Sequence, residues 1–171
     1  LNGIINAKNK YKKTPIVEQK KEIKTTINLL QEELIKLCFV KNLQVRSLIF
    51  DNLDKQWITI KKIEELYNYI YIHLKSIHPP NPSIILNEIK DSEKRSFLSG
   101  LLFDLENIDG SILMTKECLS RLEEHFLENK RNILREKLKS SNEINQVIKE
   151  ITDVENNLRT ISAKYDNVKE N

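Results

Sequence analysis

Three histidines, two cysteines and a few acidic clusters are the residues whose types could do chemistry. His73, His78 and His125 show neither His-x-x-x-His nor His-Glu-x-x-His spacing, and Cys38 and Cys118 each lack a Cys-x-x-Cys partner. Local spacing therefore assembles no zinc site. Asp104, Glu106 and Asp109 offer oxygens that a hard cation could use. However, Asp104 and Glu106 stand two apart and do not share a helix face, and Asp109-Gly110 is ordinary turn chemistry. Asp51-Asn52-Leu53-Asp54 reads in the same way, as a helix end with turn-forming residues. Three glycines leave no room for a phosphate loop, a dinucleotide fingerprint or a nucleophile elbow. Tyr67, Tyr69 and Tyr71 could stack bases, but at helical spacing Tyr67 and Tyr71 fall on the core-facing stripe and only Tyr69 points elsewhere. Trp57 is either a plug between elements or an exposed anchor. No catalytic residue, cofactor or metal is expected in this chain.

The elements that carry these residues are helices. Three glycines and four prolines in 171 residues starve turn-rich β architectures, while 31% charged and 39% hydrophobic residues fit a lean core with much solvated surface. The fold class is all-α. The longest apolar runs, such as Leu37 to Val40, fall far short of a membrane span. The chain opens Leu1-Asn2-Gly3 without an initiator Met or a signal pattern, which reads as a piece of a longer cytoplasmic protein with its catalysis elsewhere.

Residues 1–24 hold seven lysines against two glutamates, +5 net, which leaves the remainder of a +3 chain near −2. Residues 1–17 read as a basic linker, with Thr14-Pro15 as a helix start. Ile23, Ile27, Leu30, Leu34 and Leu37 then paint one stripe of a helix. Val45, Leu48, Ile49 and Leu53 mark a second helix, and Ile63 to Leu74 a third with Thr59 as its cap. The prolines at 79, 80 and 82 force a break. A short helix follows from Ser83, and another runs from Asp91 or Ser92 through Leu105. Together, residues 18–110 form a compact helical bundle.

From 111 to 171 the chain is highly charged and free of Gly and Pro. Leu119, Leu122, Phe126, Leu127, Leu134 and Leu138 define one long helix. Ile144, Ile148, Ile151, Val154, Leu158, Ile161, Tyr165 and Val168 define another, close to the 3.5-residue period of a coiled-coil seam. Ser140-Ser141-Asn142-Glu143 matches a capping box, with Ser140 as cap of the last helix. The tight link makes the pair an antiparallel hairpin, in which Leu138 should meet Ile144 and Leu134 should lie near Ile148. This arm is expected to stand away from the bundle, with Val147 widening its apolar stripe for a partner helix.

The segment Glu33-Leu34-Ile35-Lys36-Leu37-Cys38-Phe39-Val40-Lys41-Asn42 resembles the E-x-x-L-L-x-L-L-L-x-N-P opening of the C-terminal domain of bacterial DNA primase, the DnaG family, with Leu43 in place of the family's proline. Arg46 to Phe50, Ile63 to Leu74 and Ser96 to Leu105 are similar to its later helices. Cys118 to Glu123, running into Ser140 to Glu143 and the last heptads, resembles its paired terminal helices. The resemblance covers roughly residues 25 to 168. It implies a non-catalytic domain that binds the N-terminal domains of the DnaB-type replicative helicase hexamer and couples primer synthesis to unwinding. The zinc-binding and polymerase domains would lie upstream. A second implied partner is the acidic tail of single-stranded-DNA-binding protein, to which no residue is assigned. The partner-binding residues expected on this basis are Val147, Leu158, Arg159, Ile161, Lys164, Tyr165 and Lys169, with Leu158, Ile161 and Tyr165 also candidates for holding the hairpin closed. The alternatives are a replicative-helicase N-terminal domain, which ends in a similar hairpin, and a helical nucleic-acid-binding module using the basic arm. With residues beyond 24 slightly negative, little direct nucleic-acid binding is expected.

Overall fold

The computed structural model describes residues 25–103, 105, 110–140 and 142–167. Among them the chain is all helical: α1 (Thr26–Leu37), α2 (Leu43–Asn52), a single 3₁₀ turn (Lys55–Trp57), α3 (Lys61–Tyr71), α4 (Pro82–Glu88), α5 (Ser92–Leu102), α6 (Ile112–Leu138) and α7 (Ile144–Asp166). The expected basic linker, the Thr14-Pro15 start, the acidic group Asp104, Glu106 and Asp109, and Lys169 lie outside the described residues, apart from the flanking Leu105 and Gly110.

Local chemistry sets most helix starts. Asn81 Oδ1 accepts from the Ser83 amide, with Pro82 at the first helical position, and Asp91 Oδ1 accepts from the Glu93 and Lys94 amides. Those bonds hold the Asp91 carboxyl below its usual range. Two expected caps are not realised. Thr59 does not cap α3, because the buried Gln31 of α1 takes the exposed donors instead: its Oε1 accepts from the Thr59 and Ile60 amides at 3.0 and 2.9 Å, and its Nε2 donates to Thr59 Oγ1 at 2.8 Å. Nor does Ser140 cap α7, which starts at Ile144 with Glu143 in the cap position and no side-chain cap bond. Ser140 is used to close α6, its amide bonding to the Lys137 carbonyl.

The core of the bundle gathers Leu34, Ile35, Leu37, Val45, Ile49, Ile63, Leu66, Tyr67, Ile70, Ile85 and Leu98, all buried. Tyr67 and Tyr71 lie on the inward stripe as expected, Tyr71 stacking on Phe50 at 4.6 Å between ring centres, while Tyr69 faces solvent. Trp57, 6% exposed, is a plug. One buried cation ties the bundle's loops. Arg46 of α2 is fully enclosed and donates to four carbonyls, those of Val40 and Lys41 after α1 and those of Ser76 and Ile77 after α3, at 2.6, 2.9, 2.7 and 3.2 Å.

The final pair of helices is antiparallel, with Arg135 on α6 bonding Glu155 on α7 at 3.0 Å and Glu123 bonding Lys164 at 2.7 Å. The expectation that the whole arm stands away from the bundle is corrected. The first turns of α6 pack on α1 and α2, burying Thr115, Cys118, Leu119 and Leu122, with Cys118 Sγ 3.5 Å from the Leu30 carbonyl. Beyond Leu127 the burial on α6 thins to Leu134, about what one helix partner covers.

Candidate partner-docking surface

A docking site on this arm requires apolar surface that the hairpin does not itself consume. The seam consumes more than its spacing suggests at one end and less at the other. On α7 the buried line is Val147, Val154, Ile161 and Tyr165, with Ile151 and Leu158 half-buried between them, an unbroken alternation of four and three. The expected seam positions Ile144 and Ile148 are 52% and 47% exposed, and Val147 takes their place with no exposure at all. The reason is angular. Each three-residue step falls about 60° short of a full turn, so the successive threes Ile148–Ile151–Val154 carry Ile148 about 120° off the seam, whereas a four and a three keep Val147 on it. Ile144 and Ile148 thereby form an open, half-exposed row on the outer flank of α7.

Of the residues expected to bind a partner, Val147, Ile161 and Tyr165 are spent within the chain. Tyr165 donates its phenol to Glu123 Oε2 at 2.8 Å, and burial, followed by that bond to a carboxylate, pushes its pKa up. Lys164 is also engaged, pairing with the same Glu123 oxygen at 2.7 Å and lying 5.3 Å over the Trp57 ring. This group latches the end of α7 to the base of α6 and to the bundle. Lys169 lies outside the described residues.

Leu158 and Arg159 remain. With Arg131 and Glu155 they line an open hollow of about 330 Å³ on the outer flank. Arg159 is exposed, and the Arg131 Nε is buried without a hydrogen-bond partner, its Nη2 reaching the exposed Glu128 only at 3.9 Å. Glu155 is held by Arg135. The distal third of α6 and its C-cap are basic, with Lys130, Arg131, Arg135, Lys137 and the cap Lys139 against Glu136. The surface is thus a short apolar row, Ile144 and Ile148 with Ile151 and Leu158 beneath, edged by guanidinium groups. Arg131 and Arg135 were missed because their place follows only from the register across the turn, which sets Arg131 level with Arg159.

Among the described residues no group of three or more His, Cys, Asp or Glu side chains could hold a metal ion, and no helix is long and apolar enough to cross a membrane. Burial raises the Cys38 thiol far above its usual range and the Cys118 thiol to about 12. Sequence and fold thus define an all-α chain whose last two helices leave one flank open. No protein-family model, curated protein or solved structure matches it.

Proposed function

We propose that this chain is a non-catalytic docking domain, the helicase-interaction domain of a bacterial primase of the DnaG family. On this reading the distal hairpin binds the N-terminal domains of a DnaB-type hexamer. The observation that carries it is the open row Ile144–Ile148 beside the arginines of α6 and α7, on the part of the hairpin that the bundle does not cover. Exposed isoleucines on an otherwise charged helix are where a partner's apolar side chains gain most from burial. The bundle and the Glu123–Lys164–Trp57 latch support this reading as a rigid mount. The domain would act by tethering, raising the local concentration of primer-synthesising activity at the unwinding machine.

Size-exclusion chromatography with light scattering, mixing the chain with the cognate helicase hexamer, tests this. Cutting the chain before Ile112 would remove Cys118, Leu119 and Leu122 from the bundle's core and confound the result. The informative comparison is Ile144→Asp with Ile148→Asp, both at exposed positions. Co-elution of the wild type and loss of co-elution in the double variant support the proposal. Failure of the wild type to bind, with a salt-sensitive shift of single-stranded DNA instead, moves the function to the basic N-terminal stretch.

A further inference from the structure

Two arginines from different helices, Arg131 of α6 and Arg159 of α7, line one hollow whose single acidic residue, Glu155, already bonds Arg135. The Arg131 Nε sits buried in this side-chain cluster with no acceptor. A guanidinium presents its donors in a fork shaped for a two-oxygen anion, and the Arg131 Nη2 meets its nearest carboxylate, Glu128, only at 3.9 Å. The hollow is open to solvent, and the half-buried Leu158 forms its apolar wall. The row Ile144–Ile148 continues on the same flank of α7 toward the tip. From these observations we infer that Arg131 and Arg159 form a notch for a carboxylate side chain of the docking partner, a glutamate or aspartate on a helix whose apolar residues cover Leu158, Ile151, Ile148 and Ile144. The partner's contact helix is therefore acidic at one end and apolar along the rest. This deepens the docking reading and rests on it for the partner, while the notch itself is a property of this chain alone.

Two arms separate the claims. In the first, the Nε–H signals of Arg131 and Arg159 are followed by NMR in the full chain during titration with acetate, with chloride at equal ionic strength as reference. A saturable shift of the Arg131 signal specific to acetate, abolished by Arg159→Gln, is expected; identical responses to the two salts would overturn the notch. A second series with inorganic phosphate reads the other source of an oxyanion, and a response to phosphate without one to acetate would overturn the assignment to a protein carboxylate. In the second arm, R131Q and R159Q are titrated against the helicase hexamer, with circular dichroism confirming intact helices. Each is expected to weaken binding by about tenfold or more, as loss of a charged hydrogen bond does, with little further loss in the double variant. Unchanged affinity in both would overturn the partner contact while leaving the docking reading standing. An acetate-specific shift without any helicase binding would sink that reading and keep the notch.

Discussion

Arg46 is the side chain whose removal should cost the fold most. It is enclosed on all sides and bonds four carbonyls, two in each of the segments that follow α1 and α3. Among the described residues no ion pair neutralises it. Each hydrogen bond from a charged donor contributes about 1.5–3 kcal/mol, so four give a gross figure of about 6–12 kcal/mol. Against this, replacing a buried cation by an apolar side chain of similar volume returns a desolvation cost of several kcal/mol. Arg46→Met should therefore destabilise the chain by about 3–5 kcal/mol, because four carbonyls then face a side chain without donors. Arg46→Lys, which can satisfy only part of the set, should lose roughly half as much. Burial lowers the guanidinium pKa, but a group that starts so far above neutrality stays charged, so the loss should be the same at pH 6 and pH 8. Urea unfolding followed by helical circular dichroism measures both variants. A loss below about 1 kcal/mol for Arg46→Met, no more than an ordinary hydrogen bond, would refute the view that this side chain staples the two segments.

The two informative glycines should respond in opposite senses. Gly100 lies in α5 with open space where a Cβ would go, so Gly100→Ala should stabilise by about 0.5–1 kcal/mol. A Cβ on Gly110 would meet the Val40 side chain at 3.0 and 3.1 Å, so Gly110→Ala should destabilise by about 1–3 kcal/mol in the same urea assay. Tyr165→Phe should remove about 1.5–3 kcal/mol by deleting the bond to Glu123, and fluorescence of the single Trp57 should report loosening of α7 before the bundle melts. Both thiols are raised by burial, Cys118 to about 12, while unfolded thiols ionise near 8.5. The stabilisation is thus complete below about pH 8.5 and should decline above it by up to about 1.4 kcal/mol per pH unit for each thiol. Cys118→Ala should flatten that decline in unfolding midpoints measured from pH 7 to 10, and in the native chain a thiol reagent should label neither cysteine ahead of unfolding.

Which parts were legible follows from how local each signal is. Asp91 before Ser92 bonds amides two and three residues away, so that helix start could be placed from the sequence, whereas α4 begins at Pro82 under an Asn81 cap, one residue before the expected Ser83. Thr59 failed as a cap because its competitor, Gln31, comes from 28 residues earlier, and nothing in a linear window weighs that contact. The tip of the hairpin was misread for a finer reason. Val147 and Ile148 are adjacent and equally apolar, and only the angle relative to Ile151 and Val154 decides which enters the seam. That one-residue choice turns Ile144 and Ile148 outward and creates the open row. The packing of α6 on the bundle was hidden in plain view, since Cys118, Leu119 and Leu122 fill more of the helix surface than a two-helix seam requires. The roles of Arg46 and Arg131 were not legible, because a charged residue on a helix reads as solvated until its neighbours are in place.

The central claim, that the distal hairpin's outer flank is the docking surface, is tested most directly by hydrogen exchange with mass spectrometry on the full chain, alone and with the helicase hexamer. Protection should rise across residues 128–160, most around Ile144 and Ile148, and stay unchanged from α1 through α5. Protection confined to the bundle, or no change in the hairpin despite complex formation, would contradict it.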